Sequence, residues 1–478
     1  MKARLAAALA AALLLTGCTS GSDEPGDSPS PAPAASPTPE RDLGVSTPVE
    51  DRVYPDVGDP GVDALSYDLD LTWDPATSTL EAQEEIRLRS TRAADHLQLD
   101  LDDDLHVARV TVDGRPAAFD HDGKDLVVAH RVRADDRYTL VVDYAGTPRP
   151  VPAPTKRQDF DTTGWTTTPD GEVWTMQEPY GAYSWYAVND QPSDKALYSF
   201  RISVPSPWVG VANGRLLSRA ERNGSTVTRW ALDEPASSYL VTIAIGDLVM
   251  TEDRSASGVP MTYWTPRGRA DLLERVRLAP AGLGWLEERL GAFPFSSLGF
   301  LVVESKSGME TQTMITLGDT RYATSPEVLV HEMAHQWYGD QVTPVDWRDV
   351  WMNEGMAMFL QATWQDQLQD QPIEQTMDYW AELDAQLRED YGPPANYDAD
   401  AFGGSNVYTS PALMWDELRK RIGDDLFWRL VRDWPAAHDN GNADYDDITA
   451  WWSEQSGEDL SGLFDDWLLG ETTPERSS

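Results

Sequence analysis

The chain has 478 residues and a mass of 53.1 kDa, with 80 acidic against 38 basic side chains and a formal charge of −42. That excess of acid excludes nucleic acid, whose phosphates need a basic footprint, and describes a solvated, self-repelling surface. One cysteine, Cys18, rules out an intrachain disulfide, and 41% hydrophobic with 25% charged residues suits two or three globular domains.

At the amino terminus Lys2 and Arg4 precede an Ala/Leu run from Leu5 to Leu15. A helix of that length rises about 16 Å, half of a bilayer core of about 30 Å, which predicts a signal-peptide core rather than a permanent span. Leu15-Thr16-Gly17-Cys18 resembles the bacterial lipobox. The resemblance implies a signal peptide over 1–17, cleavage before Cys18, acylation there, and a lipid-anchored protein outside the cytoplasmic membrane. Two or three acyl chains suffice for stable anchoring. Residues 18–55 read as a Pro/Ser-rich linker, since six of the nineteen residues from Ser22 to Glu40 are proline. Such a segment has no apolar periodicity to pack and favours extended polyproline II. Beyond the leader, no stretch is long enough to span a bilayer.

Residues 56–250 are predicted to be an all-β sandwich or saddle domain. Tyr67–Trp73, Glu85–Leu88 and His106–Val112 alternate apolar and polar side chains, and Asp113-Gly114 supplies a turn. Further strands are expected at Leu126–Val128, Tyr138–Tyr144, Tyr198–Val204, Thr226–Leu232 and Tyr239–Ile245, with Gly, Asp and Pro between them. His96, His106, His121 and His130 are scattered here without metal-ligand spacing.

Residues 251–478 change in texture and predict a mainly helical domain with a small sheet on its edge. Ala270–Leu290 carries helical spacing interrupted near Pro280, while Phe300–Val303 and Met309–Leu317 read as short strands. Helices are predicted around Pro326–Tyr338, Asn353–Gln369, Glu374–Arg388 and Pro411–Arg421.

The chemistry is concentrated in His331-Glu332-Met333-Ala334-His335. Residues four apart share a helix face, so both imidazoles can address one ion. Glu332 lies about 100° around the helix, a placement that suits a base for water rather than a ligand. Eighteen residues separate His335 from Glu354, with Pro344 in a loop that lets a second helix return beside the first. Two histidines and one carboxylate, with no cysteine to close a tetrahedron, are the donor set of a catalytic zinc site holding one ion.

HEMAHQWYGDQVTPVDWRDVWMNEGMA, from His331 to Ala357, resembles the aminopeptidase N family of zinc peptidases, family M1, among the gluzincins. Ser307-Gly308-Met309-Glu310-Thr311 matches the family's GxMEN motif at Met309 and Glu310. Gln177-Glu178-Pro179 with Asn189-Asp190-Gln191-Pro192 resembles the end of its β domain, and Val407-Tyr408-Thr409 falls where it carries a catalytic tyrosine. The resemblance runs from about Tyr67 to the end and implies a thermolysin-like catalytic domain acting on peptides. It implies that Tyr408 stabilises the oxyanion and that Glu332 returns the proton to the leaving amine. It assigns the substrate's amino terminus to Glu310, aided by Glu178; the strand expected to carry Gly308 and Met309 can also hydrogen-bond an extended substrate backbone.

The sequence departs from that family at Ser307 and Thr311, which replace Gly and Asn of GxMEN, at Asp340, a frequent Asn, and at Ser410-Pro411, where Lys-Gly is common. It ends 70 residues after Tyr408, without room for the helical-repeat domain of larger members, so a more open cleft is expected. Three readings remain at this point: a lipid-anchored zinc aminopeptidase, a zinc endopeptidase with an open cleft, and a catalytically silent peptide-binding lipoprotein. Oligomeric state and side-chain preference are not legible.

Overall fold

The structure, a computed structural model, describes residues 43–477. Cys18, the expected signal peptide over 1–17 and the linker up to residue 42 lie outside the described residues. Residues 43–55, read as the linker's end, pack on the body instead. Asp51 accepts from the Trp347 backbone N–H at 2.8 Å, and Arg52 Nη2 pairs with Asp349 at 2.8 Å. Among the described residues no helix is long and apolar enough to cross a membrane.

Alternating side chains build the first half. In the strand Val62–Asp74, Tyr67, Leu69, Leu71 and Trp73 turn into the core while Asp68 and Thr72 face solvent. This strand pairs antiparallel with Thr79–Ser90 on one side and parallel with Lys195–Pro205 on the other, inside an eight-stranded sheet. A five-stranded sheet, whose strands include Thr162–Thr167, Val173–Met176 and Ile243–Gly246, contributes to the same apolar core. Tyr239–Ile245 is not the single strand expected. A 3₁₀ turn over Ser238–Leu240 precedes Ile243–Gly246, because the chain leaves the sheet there to meet the second half. Tyr239 donates to the Gly339 carbonyl at 3.2 Å and accepts from Asn353 Nδ2 at 3.3 Å.

The sheet changes at Asp247, slightly ahead of the compositional step at 250/251. Leu248–Arg254 pairs with Pro260–Pro266 in a second five-stranded sheet, which continues through Leu298–Val303 and Met314–Gly318 to an edge strand, Gly308–Met309. Leu298–Val303 is buried along its whole length, as a continuous apolar run flanked by parallel partners should be. The segment Met309–Leu317 is a hairpin rather than one strand. Thr313, at φ 63°, turns it back between the two short strands.

Helices α1 (Ala270–Val276) and α2 (Ala279–Leu290) divide where expected, with Pro280 in the first turn of α2, where a missing N–H costs nothing. Helices α3 (Pro326–Ala334), α4 (Trp351–Leu368), α5 (Ile373–Tyr391) and α6 (Asn406–Ile422) follow. α3 is shorter than the spacing suggests because the chain tightens after His335, with Gln336 N–H reaching the Met333 carbonyl at 3.2 Å. α6 starts before Pro411 rather than at it. The Pro411 ring fits against Gly355 of α4, where an added Cβ would stand 2.3 Å from Pro411 Cβ.

Candidate metal centre and active site

α3 supplies His331, the residue that caps its end supplies His335 on the same buried face, and the first turn of α4 supplies Glu354, a carboxylate at the favourable end of a helix dipole. The two Nε2 atoms lie 3.1 Å apart, and Glu354 Oε2 lies 3.2 Å from His331 Nε2 and 3.4 Å from His335 Nε2. A tetrahedral zinc with bonds of about 2.0–2.1 Å separates its donor atoms by about 3.3–3.4 Å, so this trio fits one ion. His335 Nδ1 donates to the Tyr338 carbonyl at 3.1 Å, which leaves the Nε2 lone pair facing the other two donors.

A cavity of about 650 Å³ opens over the trio, lined by Glu178, Gly308, Met309, Glu310, Glu332 and Tyr408 among others. The structure thus gathers every expected site residue of the body; only Cys18 lies outside its description. Oxygens of Glu178, Glu310 and Glu354 stand within 4.8 Å of one another, and Glu310 and Glu332 each bring an oxygen equally close to His335. Glu178 Oε1 and Glu310 Oε1 are buried without a hydrogen-bond partner among the described residues. Gly308 approaches Glu332 closely, since a Cβ there would lie 2.4 Å from Glu332 Oε1. Tyr408, in the first turn of α6, lays its ring at 24° to that of His331, with centroids 6.1 Å apart.

Crowded charges on buried groups set the protonation tendencies of the protein alone. Burial, then the neighbouring Glu310 charge, lifts the Glu332 carboxyl well above the usual range. Burial likewise raises Glu310, and raises Glu178 strongly with Glu310 adding to the effect. Burial works against ionised Glu354, yet His335 and His331 hold it below the ordinary carboxylate range. Burial lowers His331, whereas for His335 the surrounding Glu310, Glu354 and Glu332 overcome burial and raise it. The Tyr408 phenol is pushed up, chiefly by burial.

Three participants escape sequence reasoning. Gln336, next to a ligand, donates through Nε2 to the Glu310 carbonyl at 2.8 Å and accepts from the Thr313 N–H at 2.9 Å, tying the edge hairpin to the metal helix. Its only signal is its position inside the motif. Arg157 and Asp159 reach the cavity from the β-rich half, and no local pattern marks them.

A family model described as the Peptidase M1 N-terminal domain matches residues 63–240, and one described as the Peptidase family M1 domain matches residues 291–467. Aminopeptidase N of Streptomyces lividans is 25% identical over 327 residues, covering 62% of this chain and 38% of its own length. Aminopeptidase N of Acetobacter pasteurianus is 24% identical over 322 residues, covering 62% of this chain and 88% of its own. The chain thus spans well under half of the Streptomyces relative and most of the Acetobacter one. An M1 zinc metallopeptidase of Deinococcus radiodurans, solved with a Tyr-Ser-Ala substrate, superimposes with a TM-score of 0.79 at 22% identity, over 90% of this chain and 99% of that one. At that identity the likeness establishes the fold. Two family models matched in order across the β-rich and helical halves, together with a His-His-Glu trio spaced for zinc, show that the chain belongs to peptidase family M1, the aminopeptidase N family.

Proposed function

We propose that the protein is a zinc-dependent aminopeptidase that hydrolyses the amino-terminal peptide bond of peptides. One observation carries this reading: Glu178 and Glu310 present buried carboxylate oxygens that have no hydrogen-bond partner among the described residues, beside the zinc-spaced trio. Buried charge without a partner is costly, and a substrate α-ammonium is the cation that would relieve it. Pairing at that point places the first peptide bond, and no later one, over the trio.

His331, His335 and Glu354 would hold the ion. When bound, zinc supplies Lewis acidity and lowers the pKa of water toward about 7. Glu332 takes the proton as the water oxygen bonds to the carbonyl carbon, then passes it to the nitrogen as the C–N bond breaks. The Tyr408 hydroxyl donates to the oxygen on which charge develops. The free edge of Gly308–Met309 hydrogen-bonds extended substrate backbone.

Free and N-acetylated aminoacyl-anilides, assayed with and without a chelator, test the reading. Chelator-sensitive turnover of the free substrate is expected, with the N-acetylated one cleaved at no more than a background rate. Cleavage of blocked peptides would favour an endopeptidase, and zinc without turnover a binder.

We also propose that the mature protein begins at an acylated Cys18 and is held outside the cytoplasmic membrane. The Ala/Leu run and Leu15-Thr16-Gly17-Cys18 support this. Fatty-acid labelling should be lost in Cys18→Ser; labelling that persists would remove the anchor from Cys18.

A further inference from the structure

Arg157 Nη1 donates to the Tyr408 hydroxyl oxygen at 2.8 Å. This arginine stands on the connection between the strands Val151–Pro152 and Thr162–Thr167 of the β-rich half, far in sequence from the helix that carries Tyr408. Its other side is clamped by Asp159, with Nε donating to Oδ1 at 3.0 Å and Nη2 donating to Oδ2. Ser307 Oγ donates to that same Oδ2 at 3.3 Å, and the Phe160 ring centroid lies 4.5 Å from Arg157 Cζ. The connection is also pinned to the helical half. Phe402 N–H donates to the Pro154 carbonyl at 2.9 Å, Thr155 Oγ1 to the Phe402 carbonyl at 2.7 Å, and Lys156 Nζ to the Asp390 carbonyl at 3.2 Å.

A phenol has one proton to donate and lone pairs to accept with. A guanidinium is a permanent donor, so it occupies a lone pair of Tyr408 and never takes its proton. Among the described residues the Tyr408 hydroxyl donates to no acceptor. We propose that Arg157, braced by Asp159 and Ser307, is a positioning residue for Tyr408: it fixes the phenol oxygen through a lone pair and leaves its proton free for an acceptor in the cleft they both line. The proposal rests on the reading of Tyr408 as the oxyanion donor. Part of the brace is Ser307, the residue that stands where the family motif usually has glycine, so the departure from the motif supplies the hydroxyl that ties the edge strand to this connection.

The test uses the zinc-loaded full chain with a free aminoacyl-anilide, and compares wild type, Arg157→Ala, Arg157→Lys, Asp159→Asn, Tyr408→Phe and the Arg157→Ala/Tyr408→Phe double variant. Arg157→Ala should lower kcat about 10- to 100-fold with KM within about threefold, and Arg157→Lys should recover part of the loss. In the Tyr408→Phe background the same alanine change should cost less than about threefold, because its target is gone. Zinc content should match wild type throughout. If Arg157→Ala is poorly folded, Asp159→Asn supports the same comparison by loosening the clamp alone. Equal losses in both backgrounds, or a rise in KM with kcat unchanged, would overturn the proposal. A Tyr408→Phe enzyme with wild-type kcat would instead remove Tyr408 from the mechanism, a failure distinct from that of Arg157.

Discussion

Gly308 stands so close to Glu332 that a Cβ at position 308 would lie 2.4 Å from Oε1 and 3.0 Å from Cδ of that carboxylate. A methyl group there must push Glu332 out of its place, because the glycine belongs to a hydrogen-bonded strand that does not yield freely. Gly308→Ala should therefore lower kcat by about 100-fold while the protein keeps its zinc. Turnover measured beside metal content checks this, and an active Gly308→Ala enzyme would show that Glu332 has room to move.

Glu332 itself is not one of the three donor atoms that face one another at 3.1–3.4 Å. Glu332→Gln should accordingly retain about one zinc per chain and lose at least about 1000-fold in kcat, since an amide cannot accept the proton. Loss of zinc in this variant would make Glu332 a ligand and contradict the assignment.

Much of this centre was legible because its chemistry is local. Helical periodicity alone brings His331 and His335 to one face, and the donor types select zinc. Phe300–Val303 was legible for a similar reason, as an unbroken apolar run, although the strand starts earlier, at Leu298. Glu354 needed one tertiary assumption, that α4 returns beside α3. Arg157 needed several, because a loop between strands has no period to read and acquires meaning only when the two halves meet. Tyr239–Ile245 misled for the same cause: it is a nearly unbroken apolar run, but Tyr239 is engaged by Gly339 and Asn353 of the helical half. Asn406 preceding Pro411 on α6 misled because proline usually marks a helix start, whereas here bare Gly355 makes room for it mid-helix.

Glu310 and Glu178 are proposed to read a positive amino terminus, so removing their charge should change selectivity more than chemistry. Glu310→Gln should lower kcat/KM for free aminoacyl-anilides about 100-fold, and Glu178→Gln about 10-fold. Neither should lower the background rate on N-acetylated substrates. The ratio of the two rates is the readout, and a parallel fall on both substrates would assign these acids to the fold or to the metal instead.

Lys195 gives the joint between the halves a pH dependence of calculable sign. Its ammonium is buried, with Nζ donating to the carbonyls of Asp340 at 2.8 Å and Gln341 at 3.2 Å. Burial pulls its pKa from 10.5 down to about 7, although the charges of Asp340 and Asp439 resist. Between those two values the unfolded chain binds more protons at this site than the folded one, so stability rises with pH. Below pH 7 the folded protein carries the full cost of a buried cation, and that cost is relieved as pH climbs through 7 toward 10.5. The slope approaches about 1.4 kcal/mol per pH unit, giving a gain of about 2 kcal/mol between pH 7 and pH 9. Lys195→Met cannot show it. Denaturant unfolding of both proteins across that interval should reveal wild type gaining about 2 kcal/mol relative to the variant; identical slopes would mean that Lys195 stays protonated in the folded protein over the whole range.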